Sequence, residues 1–293
     1  MKITKVIDEY LEYLRGVKRY SGYTLKAYKE DLHSFSEFCA ERSKSEISHI
    51  SEQVIKSYLM YLNDIGLEKK SISRKLASIR GLFKFAFQQD IIDQNPAFYI
   101  TNPKAARKLP EIISVENFSE IYKEVDKDPE DSKLIKAIFE LLYGCSLRVS
   151  ELCGLNRYDL DTDQKILRVK GKGNKIRISP VGTKSLKIIN DYLSEKTFKD
   201  NDEPLLLNKN GKRIYPRMVH RIVNKYLSKI TDIKKKSPHI LRHSSATHML
   251  DSGANLKAVK EILGHENLST TQIYTHVSIE RLKATYKKSH PKS

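Results

Sequence analysis

The chain has 293 residues, 39% apolar and 9% aromatic, enough for one large domain or two ordinary ones and too apolar for a disordered chain. Lys and Arg number 53 against 36 Asp and Glu, and the excess is shared: 19 basic against 13 acidic residues up to position 110, then 34 against 23. A surplus in both halves points to a polyanion held between two domains, nucleic acid before membrane. No run approaches the roughly eighteen apolar residues of a spanning helix, and Met1-Lys2-Ile3-Thr4-Lys5 lacks the apolar core of a signal peptide. Three cysteines, Cys39, Cys145 and Cys153, suit a reducing cytoplasm rather than a disulfide framework.

The first hundred residues read as a helical domain. Leu25, Tyr28, Leu32, Phe35 and Phe38 recur at spacings of three and four, and Val54, Tyr58, Tyr61, Leu62 and Ile65 continue the pattern until Gly66. A third helix carries Ile72, Leu76, Ile79, Phe83 and Ala86, with Ser71, Arg74, Lys75 and Ser78 assigned to the opposite face. That strip either lies along DNA phosphates, which makes Arg74, Lys75 and Ser78 candidate DNA-binding residues, or is a solvated face. Asn95-Pro96 ends the run, and residues 101–110 (TNPKAARKLP) read as a linker between domain 1–100 and domain 111–293. The second domain opens with helices around Val115–Val125 and Ser132–Tyr143. Alternating apolar residues on either side of Gly171-Lys172-Gly173-Asn174 then predict a β-hairpin, after which the chain returns to helices.

Ser237-Pro238-His239-Ile240-Leu241-Arg242 carries a helix start, Ser237 as N-cap and Pro238 as first helical residue. His239 and Arg242 then share one face of the first turn, where backbone amides attract anions and a guanidinium matches phosphate oxygens. Farther on, Gly264 reads as a helix C-cap before His265, and Tyr274 follows nine residues later. Upstream, Arg148 precedes Glu151 by three. Singly, each has a structural alternative: His265 a satisfied core histidine, Tyr274 an ordinary core residue, Arg148 half of a salt bridge.

Together, in this order and spacing, these residues resemble the tyrosine recombinase (phage integrase) family over essentially the whole chain, and most strongly from Pro238 to Pro291. The stretch LRHSSATHMLDSGANLKAVKEILGHENLSTTQIYTHVSIERL is very similar to the Xer branch, the bacterial recombinases that resolve chromosome dimers. The family's motifs fall on Arg148 in R-x-S-E-L, Lys172 in the G-K-G-N-K hairpin, His239 and Arg242 in H-x-x-R, His265 in L-G-H, and Tyr274. Ser146 departs from the pattern, since many relatives carry glycine before Leu147-Arg148.

The resemblance implies a mainly α, two-domain DNA clamp: a helical N-terminal core-binding domain and an α-rich catalytic domain with a small antiparallel β-sheet. It implies a 3′-phosphotyrosine on Tyr274 and a free 5′-hydroxyl. Chemistry fits the residue types. Attack on a phosphodiester gathers charge on its non-bridging oxygens, which aimed cationic donors can meet. A phenol needs activation, and the leaving oxygen needs a proton, with Lys172 as general acid. His239 would assist proton transfer or bind phosphate, His265 would help position it, and Glu151 would buttress the site. The sequence holds no carboxylate cluster of two-metal type, no Cys/His ligand set and no P-loop, so neither metal nor cofactor is expected. The expected partner is double-stranded DNA with a specific recombination site, bound by a homo-tetramer or by a hetero-tetramer with a paired Xer-type recombinase. The tail from Ile279 to Ser293 is expected to dock on a neighbouring subunit. A mobile-element integrase, type IB topoisomerase-like strand relaxation and a non-catalytic DNA-binding protein are the competing readings.

Overall fold

Apolar residues at helical spacing fold the amino-terminal segment into four helices: α1 (Ile3–Gly16), α2 (Gly22–Ala40), α3 (Glu52–Asp64) and α4 (Lys69–Gln88). The structure is a computed structural model that describes residues 1–103, 111–171, 175–264 and 276–292. It divides into two units, Met1–Lys108 and Leu109–Ser293. Most of the linker expected at 101–110 lies outside the described residues.

In the first unit α4 packs on α1, α2 and α3, and all five of its anticipated apolar positions are buried. Phe35, Tyr58 and Phe83 meet at the centre, with the Phe35 and Tyr58 rings 5.1 Å apart. Helix α1, which the sequence reading did not single out, buries Val6, Tyr10 and Leu14 on one stripe. Tyr10 reaches α4 at Gly81, where an added Cβ would lie 2.0 Å from its hydroxyl oxygen.

The strip on α4 needs correcting. Leu82 and Phe85 are buried as well as Ile79 and Phe83, and Ser78 lies four and seven residues before them on that wider apolar face. Ser78 is fully buried, and its hydroxyl donates to the Lys75 carbonyl at 2.8 Å. It therefore cannot lie along DNA. Arg74 and Lys75 both reach the buried carboxylate of Asp31 on α2. Arg74 Nη1 bonds one oxygen, and Lys75 Nζ lies 3.3 Å from the other.

The second unit begins with α5 (Val115–Asp126) and α6 (Ser132–Phe139), which widens into a π-turn over Glu140–Gly144. There the Cys145 amide donates five residues back, to the Glu140 carbonyl, at 3.0 Å. The chain leaves the turn through Ser146, at φ +53°, and starts the short α7 (Val149–Gly154). A three-stranded antiparallel sheet follows in the order β1 (Leu160–Asp161), β2 (Ile166–Lys170) and β3 (Ile176–Pro180), with Arg168 opposite Ile178. The hairpin is where the alternation predicts it. Its turn residues 172–174, including Lys172, lie outside the described residues.

Helices α8 (Thr183–Leu193), α9 (Pro216–Ile230), α10 (Pro238–Asp251), α11 (Leu256–Leu263) and α12 (His276–Ser289) complete the unit. The tail packs against its own unit. Leu282 and Tyr286 are buried in one cluster with Met249, Val259, Ile262 and Leu263 of the same unit. Tyr286 donates its hydroxyl to the Gly144 carbonyl at 2.8 Å and stacks on His290 with ring centroids 4.5 Å apart. In this single chain Leu282 and Tyr286 pack within their own unit; the expected docking on another subunit concerns an assembly of several chains. Among the described residues no helix is long and apolar enough to cross a membrane.

Candidate active site

Four sequence-predicted residues lie on elements that converge at the end of the sheet. Pro238 occupies the first turn of α10, as expected for a residue whose missing N–H costs nothing there. Ser237 has the extended backbone of an N-cap, but its side chain makes no capping bond. His239 and Arg242 follow on the first turn. Arg148 and Glu151 sit at the N-terminus of α7, where the Glu151 carboxylate accepts the Arg148 amide at 2.7 Å.

Glu151 is the hub. One carboxylate oxygen accepts Arg148 Nη1 at 2.8 Å. Arg177 of β3 approaches the same carboxylate with two nitrogens, at 2.8 and 3.0 Å, a fork-on-fork pairing. Arg242 Nη1 reaches it at 3.5 Å. Arg242 also donates to the Ser146 carbonyl at 2.6 Å and to the Leu263 carbonyl, while Arg177 Nε donates to the Ile262 carbonyl at 3.0 Å. Two guanidiniums thus take the last carbonyls of α11, the negative end of that helix. Exposure separates the roles: the Arg148 side chain is 36% exposed, whereas Arg177 and Arg242 are 7% and 9%.

Burial alone would raise the Glu151 pKa. The hydrogen bonds and charge of Arg177, with those of Arg148, outweigh it and leave the carboxyl below its ordinary value. Burial, then repulsion from Arg148, lowers Arg242. Burial also lowers His239, helped by His220, Arg242 and Arg148, so its imidazole is held toward the neutral form. A single carboxylate therefore organises three guanidiniums beside a ring held toward its neutral form, donors of the kind that can meet an oxyanion.

Gly264 caps α11 in the left-handed conformation, φ +62°, as its place before His265 anticipates. A Cβ there would lie 2.7 Å from Arg177 Cδ. Lys172, His265 and Tyr274 lie outside the described residues. Arg177 was missed by sequence reasoning. Alternation in Ile176-Arg177-Ile178 points the isoleucines inward, yet Ile176 is 62% exposed and Arg177 is buried. Its buried partners explain this, the Glu151 carboxylate 26 residues away in the chain and the Ile262 carbonyl. A basic concavity beside the site was also missed, lined by Arg217, His220, Arg221 and Lys225 of α9 with Lys236. Its signal was present: cations three and four apart on one helix.

Residues 111–281 match the Phage integrase family, and residues 7–90 match the N-terminal SAM-like domain of phage integrases. Along its length the chain is 38% identical to the tyrosine recombinase XerC of Thermodesulfovibrio yellowstonii, covering 98% of this chain and 96% of that one. The chain belongs to the phage integrase family. It is a tyrosine recombinase, an enzyme that breaks and rejoins DNA. The tyrosine recombinase XerC of Natranaerobius thermophilus is 40% identical, covering 97% of this chain and 98% of that one.

Solved structures share the fold of this tyrosine recombinase. The Tn1549 transposon integrase in complex with circular intermediate DNA superposes with a TM-score of 0.74 at 22% identity, covering 96% and 98% of the two chains. A lambda integrase dimer bound to a core site gives 0.72 at 17% identity, covering 94% and 100%.

Proposed function

We propose that this recombinase binds double-stranded DNA at a specific recombination site and exchanges strands through a covalent 3′-phosphotyrosine on Tyr274. The observation that carries the reading is the Glu151 cluster, in which Arg148 and Arg242 are fixed before reaction and Arg148 keeps its guanidinium open to solvent. Arg148 and Arg242 meet the charge that grows on the non-bridging oxygens. Lys172 protonates the departing 5′ oxygen, and His239 and His265 bind or relay at the phosphate. The covalent bond conserves the phosphodiester energy, so religation needs no nucleotide. The concavity on α9 supplies further phosphate contacts.

Kinship with XerC recombinases over nearly the whole chain favours the resolution of chromosome dimers in the cytoplasm by a tetramer, made of this chain alone or with a second Xer-type recombinase. Two experiments test the reading. Tyr274→Phe should bind DNA but give no covalent adduct with a nicked suicide duplex on a denaturing gel; adduct from the mutant would move the nucleophile elsewhere. Sequencing the DNA bound by the protein in cells should return one chromosomal site, and recovery of element ends instead would favour a mobile-element integrase.

A further inference from the structure

Ser146 holds φ +53°, a left-handed backbone that residues with a Cβ adopt only at a cost. Such outliers persist where the surroundings over-determine them. Two ties do so here. The Ser146 carbonyl accepts Arg242 Nη1 at 2.6 Å. Its hydroxyl lies 2.6 Å from Ser245 Oγ, one turn beyond Arg242 on α10, and Ser245 Oγ lies 2.9 Å from Nε2 of His290.

The far end gives this run a direction. The Lys292 amide donates to His290 Nδ1 at 3.0 Å, and burial lowers the His290 pKa to about 3, so the ring is neutral with its hydrogen on Nε2. The Nε2 hydrogen then lies between Ser245 Oγ and the Tyr143 carbonyl, and the Ser245 and Ser146 hydroxyls continue the run. Ser146 and Ser245 are wholly buried and His290 is 3% exposed, so these groups find their partners inside the protein.

We propose that Ser146 is a positioning residue for Arg242: the buried run from His290 through Ser245 to Ser146 fixes the left-handed turn whose carbonyl aims the Arg242 guanidinium. The proposal rests on the reading of Arg242 as a phosphate-binding group. A glycine at 146 would adopt the same φ without strain, but apart from the Arg242 bond itself no side chain would tie its peptide to α10 or to the tail.

The test is single-turnover cleavage of a nicked suicide duplex carrying the site recovered from cells, at saturating protein. Wild type is compared with Ser146→Gly, Ser245→Ala, the double variant and Arg242→Ala, each with its melting temperature and its DNA affinity by fluorescence anisotropy. Ser146→Gly should cleave roughly tenfold more slowly, the scale of one misaligned bond to a charged group, with unchanged affinity and a melting temperature no lower than wild type. Ser245→Ala should slow cleavage alike, and the double variant should be no slower than the slower single, because both cut one run. A wild-type rate in Ser146→Gly, a loss that follows affinity or melting temperature, or losses that multiply in the double variant would each overturn the proposal. If Arg242→Ala fails while Ser146→Gly cleaves normally, only the positioning role falls. If Arg242→Ala cleaves normally, the reading of Arg242 falls with it.

Discussion

On the proposed reading Arg148 and Arg242 meet charge that develops during reaction, so their loss should weigh on rate more than on binding. Changing either to Ala should slow cleavage by on the order of 10² to 10³ at saturating DNA, the scale of a lost oxyanion donor. An equal fall in affinity would reassign them to ground-state phosphate contacts. Lys172→Ala should be rescued by a substrate whose bridging 5′ oxygen is sulfur, a leaving group that needs no proton. Persistent inactivity there would move the acid role to another group, His239 first. Gly264→Ala should lower both stability and cleavage, because its Cβ meets Arg177 Cδ in a backbone that already disfavours it. How legible these residues were depended on how local their reasons are. His239 and Arg242 could be read from a helix start and Gly264 from a helix end, signals contained in a few neighbouring residues. Arg177 could not, because what turns it inward is a carboxylate on another element. Tyr143 and Tyr286 illustrate the converse. As phenols they could rival Tyr274 on paper, but both are buried and burial raises their pKa values, which leaves them poor nucleophiles.

Periodicity located α2, α3, α4 and the hairpin because burial is what the pattern records, while α10 was found from its Ser237-Pro238 start. It misassigned Ser78 because α4 is covered on more than one side, by α1, α2 and α3, so its apolar stripe is wider than the five residues first counted. The same packing divides the work of Arg74 and Lys75. The Arg74 side chain is 46% exposed and Lys75 only 14%, while both pair with Asp31. Arg74→Ala should therefore lower the slope of log affinity against log salt by about 0.9, one phosphate contact, across all sequences. An unchanged slope in anisotropy titrations would remove α4 from the DNA interface. Asp31→Ala should act on stability instead, since it removes the buried carboxylate that holds the mostly covered Lys75 and the half-exposed Arg74. A loss of about 2 kcal/mol or more in urea unfolding is expected, and no loss would show that the pair contributes nothing.

At the scale of the whole molecule, the buried tail makes stability depend on pH. Folded His290 stays neutral down to about pH 3, whereas an unfolded histidine takes its proton near 6.5. Between those values the unfolded chain binds more protons, so stability is full above pH 6.5 and declines as pH falls through the window. His239 and His248 are lowered by burial too and act in the same direction. Urea unfolding at pH 7 and pH 5 should show the difference, and His290→Gln should reduce it; identical curves for mutant and wild type would assign the acid sensitivity to other groups. The arginine cluster has a counterpart in linkage. Three guanidiniums share the Glu151 carboxylate in a largely buried place, and folding must hold them together against their mutual repulsion. An anion received there binds the native state and not the unfolded one, so it must shift the folding equilibrium by mass action. Sulfate at the ionic strength of a chloride control should raise the melting temperature, and Arg148→Ala should lose most of that gain. On that reading the substrate is also a structural component, because a phosphate bound at the cluster would add to the stability of the fold that holds it.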